Sequence, residues 1–174
     1  LGKEFYLPFQ DYWDGGSTPQ AFTLVATEDN TTVVITPTND MVNHPADEPY
    51  WIVLQKGQCY SVSSADAVAD YYLSGTKVEA NHPIAITIVD DSVREFGVST
   101  CGDQVGDQIT PATTLGTEYV IVRGFLNTMT ERVFVTATED NTEVYANGTL
   151  VATLQAGELY RHTTGSVVLS ISTS

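Results

Sequence analysis

Ala26-Thr27-Glu28-Asp29-Asn30-Thr31 recurs as Ala137-Thr138-Glu139-Asp140-Asn141-Thr142, and both copies sit among the same neighbours in the same order. Upstream is Leu-Gly-x-Glu-aromatic, at Leu1 to Phe5 and again at Leu115 to Tyr119. Downstream is Leu-Gln-x-Gly-x-x-Tyr, at Leu54 to Tyr60 and again at Leu154 to Tyr160. Three matches in one order point to a duplicated unit, and a repeat decides the architecture before any other signal does. The second copy is the shorter, and the missing residues fall between the matched blocks, at about 36–50 and 63–76 of the first copy. Length changes are tolerated in surface connections, so these stretches read as loops and the matched blocks as scaffold. The unit exceeds the 20–50 residues of a solenoid repeat and has the size of a small domain.

The motif itself reads as a hairpin turn. Ala-Phe-Thr-Leu-Val-Ala-Thr precedes it and Thr-Val-Val-Ile-Thr follows it, both with period-two alternation. Asp and Asn suit the turn because their side chains bond nearby backbone and tolerate left-handed dihedrals. Asn147-Gly148 marks a further hairpin in the second copy, since a type I′ turn needs two positive φ values. The first copy has a long polar insertion there, residues 37–49, a position suited to recognition. Further strands are expected at 50–54, 58–63, 76–80 and 84–90, with Asn81-His82-Pro83 as a tight turn between the last two. A short helix fits only residues 64–72. Residues 91–114 read as an irregular connector. In the second copy 158–163 and 167–172 match earlier strands, but Ile84 to Asp90 has no counterpart. Either the second unit is cut short or the two copies share strands. The fold class that follows is all-β: two tandem β-sandwich-like repeats, the first over 1–112 and a second, shorter and incomplete, over 113–174.

Composition limits the function. Of 174 residues, 42% are apolar, enough for a core, whereas only 17% are charged, against about 25% in typical domains. Thr, Ser and Asn supply the polar surface instead, as in β-rich extracellular modules. The net charge of −15, from 22 acids and 7 bases, argues against nucleic acid and anionic membrane surfaces, which need a basic face. No run approaches the 18 apolar residues of a membrane span, so membrane insertion is not expected. Cys59 and Cys101 fit either one disulfide in an oxidising compartment or two unlinked thiols.

The order of blocks resembles the N-terminal domain family of IgG Fc-binding protein, found in metazoan mucus proteins and many bacterial surface proteins. The residues that carry it are Leu1-Gly2-Lys3-Glu4-Phe5, Ala26 to Val33, Gly57 to Tyr60, Gly75-Thr76, Asn81-His82-Pro83-Ile84-Ala85, and the stretch from Cys101-Gly102-Asp103-Gln104 through Gln108 and Pro111 to Leu115-Gly116-Thr117-Glu118-Tyr119. It implies a secreted or cell-surface module of a longer protein that binds or adheres, without catalysis. The chain departs from the family pattern at Asp90-Asp91-Ser92, where the partner of the linker cysteine would lie, and Cys59 is outside that pattern.

Site residues follow from exposure and chemistry. Glu28-Asp29 and Glu139-Asp140 look like carboxylate pairs, but their duplication favours turn chemistry. No Gly-x-Ser-x-Gly, phosphate loop or Cys/His nucleophile frame is present, and His44, His82 and His162 are isolated, so neither an enzyme nor a zinc site is expected. No cofactor is expected. Calcium is the one cation with candidate ligands, the carboxylates Asp90, Asp91, Asp103 and Asp107, whose alternative reading is an exposed acidic loop. The binding candidates are the aromatic pairs Tyr12-Trp13 and Tyr71-Tyr72, because exposed Tyr and Trp anchor interfaces. Trp51 is expected in the core. Asn30-Thr31-Thr32 and Asn147-Gly148-Thr149 are glycosylation sequons in turns. The partner expected is an extracellular protein or glycan, held by loops 12–18, 38–49 and 91–107; a carbohydrate-binding module and a structural spacer are the alternatives.

Overall fold

The computed structural model describes residues 1–12, 18–93, 103–122, 131–165 and 168–174. Among them there are strands and two short 3-10 turns, and no α-helix. The all-β class holds. The first seven strands are β1 (Gly2–Tyr6), β2 (Ala21–Ala26), β3 (Thr31–Thr36), β4 (Tyr50–Leu54), β5 (Cys59–Ser63), β6 (Lys77–Val93) and β7 (Asp103–Gln108). The others are β8 (Glu118–Val122), β9 (Glu131–Thr136), β10 (Thr142–Ala146), β11 (Thr149–Leu154), β12 (Leu159–Thr164) and β13 (Val168–Thr173).

Alternation sets the core. On β2 the buried side chains are Phe22, Leu24 and Ala26, and on β3 they are Thr31, Val33 and Ile35, as a pleat that sends successive residues to opposite faces requires. With Phe5, Val78, Ile84 and Ile86 the apolar ones among them form one cluster. Each Phe, Leu, Val or Ile so withdrawn from water stabilises the fold by about 1.5–3 kcal/mol. A second cluster of Ala137, Val144, Ala146, Leu154, Leu169 and Ile171 serves the later strands.

β6 organises the first set. Its residues 77–80 pair with β3, and its residues 84–89 pair with β2. All pairs are antiparallel, giving one run β4-β3-β6-β1 and another β5-β2-β6-β7. A strand that leaves one sheet for another makes a corner between packed layers. The tight turn expected at Asn81-His82-Pro83 is therefore a corner within a continuous strand. Pro83 has no N–H to give a ladder, and it sits where β6 exchanges partners. Asn81 holds the corner: its Oδ1 accepts from Thr32 N at 2.8 Å and its Nδ2 donates to Asn30 O at 3.3 Å. Thr27 Oγ1 donates to Pro83 O, and His82 Nδ1 lies 3.1 Å from Glu28 Oε2.

The later strands have the order β11-β10-β13-β8, with β12-β9 beside them. This matches β4-β3-β6-β1 and β5-β2 strand for strand. Ser174 stands where Asn81 does: Ser174 Oγ accepts from Glu143 N at 3.0 Å, as Asn81 Oδ1 accepts from Thr32 N.

Two further expectations change. Residues 64–72 hold only a 3-10 turn, Ala69–Tyr71. The amides of Ser64 and Ala65 donate to Gln20 O and Asp40 O, which ties the start of the segment to the neighbouring chain. The connector at 91–114 contains β7, paired with the outer edge of β6. The described side chains of β7, Gln104 to Gln108, are exposed, so the strand needs no buried apolar face.

Candidate functional site

The repeated carboxylates belong to turns, and the two repeated motifs dock on each other. Asn30 and Asn141 take φ of 56° and 60°. Thr31 Oγ1 donates to Glu28 O at 2.8 Å, and Thr142 Oγ1 to Glu139 O at 2.7 Å. Asp29 Oδ1 reaches the next turn and accepts from Lys56 N at 3.0 Å; Asp140 Oδ1 accepts from Ala156 N at the same distance. Gln55 N donates to Gln58 Oε1 and Gln155 N to Glu158 Oε2, both at 2.7 Å. Ala-Thr-Glu-Asp-Asn-Thr and Leu-Gln-x-Gly are thus two halves of one clamp, made twice. Asp29→Ala and Asp140→Ala are each expected to cost about 0.5–1.5 kcal/mol, the net worth of one exposed hydrogen bond. Urea unfolding checks this; unequal effects of the two substitutions would contradict a shared role.

The described members of the expected aromatic anchors differ in exposure. Trp13 lies outside the described residues. Tyr12 is 41% exposed, but its ring is covered by two cations: the Arg132 guanidinium is 3.4 Å and that of Arg161 4.8 Å from its centroid. Asp11 pairs with the same Arg161 at 3.2 Å. Tyr71 is half-buried, and Tyr72 is buried with its carbonyl accepting from Asn39 Nδ2 at 2.6 Å.

The insertion 37–49 folds back on the sheet. Met41 is buried, Val42 N donates to Ser63 O, and the His44 ring stacks on Tyr50 at 3.5 Å. Tyr50 also lies 3.3 Å from the Tyr60 hydroxyl, and burial, reinforced by that neighbour, pushes its phenol far up.

Of the calcium candidates, Asp90 is buried and accepts from Gln20 Nε2 at 2.9 Å. Asp107 is exposed on β7 and accepts from Gln108 N. The side chains of Asp91 and Asp103 lie outside the described residues. No cluster of three or more His, Cys, Asp or Glu with metal-binding geometry occurs among the described residues. Cys59 is an exposed free thiol, and Cys101 lies outside the described residues.

Trp51 overturns the expectation of burial. Leu54 is buried at 8% exposure, and its parity turns Tyr50 and Ile52 inward and Trp51 and Val53 outward. Trp51 is 72% and Val53 56% exposed. Both stand on the edge strand β4, with Val34 directly across from Trp51. Along the same sheet Val34 faces Glu79, and Glu79 faces Glu4. Lys77 Nζ bridges these carboxylates at 2.9 and 3.2 Å. Partial burial pulls the Lys77 ammonium down, but its hydrogen bonds to Glu79 and Glu4 more than offset this and keep it charged. The outer face of β4-β3-β6-β1 thus carries an aromatic and aliphatic strip bordered by paired charges. The sequence signal for this face was the alternation of 50–54, whose parity only the buried partner of each residue fixes.

Among the described residues no helix is long and apolar enough to cross a membrane. One family model, described as IgGFc binding protein, matches residues 1–174, the whole chain. No curated protein and no solved structure matches the chain.

Proposed function

The chain belongs to the IgGFc binding protein family, and on that premise we propose that it is a non-catalytic extracellular adhesion module. It would bind a protein partner through the outer face of β4 and β3. The two strand sets are taken as units 1–112 and 113–174, the first presenting the face.

The observation that carries this reading is Trp51, 72% exposed beside Val53 on an edge strand. An isolated exposed valine is ordinary on a protein surface. An exposed tryptophan with aliphatic neighbours and a charged rim has the composition of an interface centre. The rim is acidic on balance, with Glu4 and Glu79 sharing Lys77, and the chain carries −15. A partner with an apolar pocket and basic surroundings is complementary. Tyr12, between Arg132 and Arg161, is a separate polar contact point.

Purified extracellular proteins, an immunoglobulin Fc fragment among them, and a glycan array are screened against the intact chain and against Trp51→Ala. A protein hit that weakens about 30-fold or more in the variant, the loss of a central anchor of about 2 kcal/mol, supports the reading. The melting temperature of the variant should hardly move, since the ring is in solvent. Protein hits that ignore the substitution would sink the Trp51 face. Glycan hits alone favour the carbohydrate-binding alternative, and an empty screen favours the spacer.

A further inference from the structure

The Trp51 face has its own control in the second strand set, because the two sets pair in one register. In the first, Trp51, Val34, Glu79 and Glu4 stand in one row across β4, β3, β6 and β1. In the second, the same row reads Leu150, Tyr145, Ser172 and Glu118 across β11, β10, β13 and β8. One row on, Lys77 opposite Tyr6 becomes Ser170 opposite Val120. The scaffold therefore forms without an indole at its edge and without the Glu79–Lys77 pair. Packing within the sheet does not call for these three side chains, and all of them reach solvent.

Charge separates the two sets in the same way. Residues 1–112 carry 16 acids and four bases, a net of −12, whereas residues 113–174 carry six and three, a net of −3. Asp47 and Glu48, exposed just before β4, belong to this excess. Lys77 offsets only part of it. Its Nζ meets a single oxygen, Oε1, of Glu79 and of Glu4, and it stands over the Tyr6 ring at 5.8 Å. One cation thus serves two carboxylates, and the second oxygen of each is left for another donor. The chain shows elsewhere what completes such a set. The Arg161 guanidinium lies 4.8 Å from the Tyr12 centroid, and its Nη1 is 3.2 Å from Asp11 Oδ1: an aromatic ring, a carboxylate and the arginine that joins them.

We propose that the partner of this face is a basic protein segment whose arginine lies flat on the Trp51 indole and donates to Glu79. Val34 and Val53 take the apolar residues beside it. This rests on the reading of the Trp51 face given above and specifies its occupant. Indole is the best of the aromatic partners for a cation. A guanidinium fits better than an ammonium, since its plane stacks on the ring while its N–H groups fork to a carboxylate. The two strand spacings between Trp51 and Glu79, about 10 Å, are within the combined reach of an arginine and a glutamate side chain. Lys77 competes for the same carboxylate, and the incoming arginine leaves it to Glu4.

The probe is a synthetic peptide, Val-Arg-Val-Arg-Val, and its control carries citrulline, the neutral isostere, in place of arginine. Binding is read on the indole N–H cross-peak of Trp51 in the nitrogen-15-labelled intact chain; Trp51→Ala identifies that peak. The arginine peptide is expected to shift it saturably with a Kd of about 1 mM at low salt, and the citrulline peptide to bind about tenfold more weakly. Glu79→Gln should weaken the arginine peptide about fivefold and Lys77→Met tighten it by a similar factor. Asp107→Asn removes the same charge from the other strand run and should change nothing. Equal shifts from the two peptides, or no shift at about 5 mM, overturn the arginine assignment. So do equal effects of Glu79→Gln and Asp107→Asn, which would mean attraction to net charge alone. The underlying face is judged separately, by the protein hits of the screen. Hits that need Trp51 but ignore Glu79→Gln and Lys77→Met keep the face and discard the arginine, whereas hits that ignore Trp51→Ala discard both.

Discussion

Gln20→Ala is expected to lower the unfolding free energy by about 3–5 kcal/mol, the largest loss from any single polar side chain in the first strand set. Gln20 is 1% exposed, and its amide bonds at both ends. Nε2 donates to Gln10 O at 3.1 Å and to Asp90 Oδ2 at 2.9 Å, and Oε1 accepts from Leu73 N at 2.9 Å. Its backbone carbonyl accepts from Ser64 N at 2.8 Å. One side chain therefore joins the loop before β2, the 64–76 segment and the far end of β6. Alanine would remove a donor from a carboxylate that is 6% exposed and orphan the Leu73 amide. A buried group that loses its partner costs about 1–3 kcal/mol, and a charged one more. Urea unfolding measures the loss, and amide exchange at Leu73 locates it. Gln20→Met keeps the volume and should recover little, because packing is not what the position supplies. A double-mutant cycle with Asp90→Leu should show coupling of about 1–3 kcal/mol. A loss below about 1 kcal/mol for Gln20→Ala would mean that the network contributes nothing that water cannot replace.

Gln20 also shows where sequence reading stops. Nothing in Pro19-Gln20-Ala21 signals a buried amide, because its partners lie 10, 53 and 70 residues away. Local chemistry was legible: Asn30 and Asn141 take positive φ where the turn motif requires it, and the alternation of 21–26 and 31–36 gives β2 and β3 with their buried faces. Contact across the sheet was not. Trp51 is expected in the core from sequence, but the parity of β4, set by Leu54 against the core, turns it outward. Asn81-His82-Pro83 has turn composition, yet its side chains brace a corner of one strand. β7 reads Asp-Gln-Val-Gly-Asp-Gln, and an exposed edge strand needs no apolar alternation to reveal it. The insertion 37–49 is polar in composition, and Met41 and His44 find their partners, Ser64 and Tyr50, only in the folded chain.

Gly75→Ala is expected to cost about 3 kcal/mol, against about 1 kcal/mol for Gly57→Ala. Both glycines have positive φ, +82° and +80°, so both substitutions carry the penalty of a left-handed residue with a Cβ. Only Gly75 carries a second one. A Cβ there would stand 1.9 Å from the carbonyl oxygen of Gly157 and 2.8 Å from its carbon. Those are backbone atoms of another turn, which no rotamer change can move. Gly57 has nothing within 4 Å of the same position. Gly157, the counterpart of Gly57 in the repeated Leu-Gln-x-Gly turn, has φ +85° and a nearest approach of 3.1 Å to Gly75 O. Gly157→Ala should therefore fall between the other two. The series separates dihedral strain, common to all three, from the approach of the two strand sets, which rises from Gly57 through Gly157 to Gly75. Urea unfolding of the three variants reads the order. Limited proteolysis of Gly75→Ala should cut faster around β9 and β12, because the displaced turn belongs to the later strands. Equal losses for Gly57→Ala and Gly75→Ala would show that the two turns do not touch in solution.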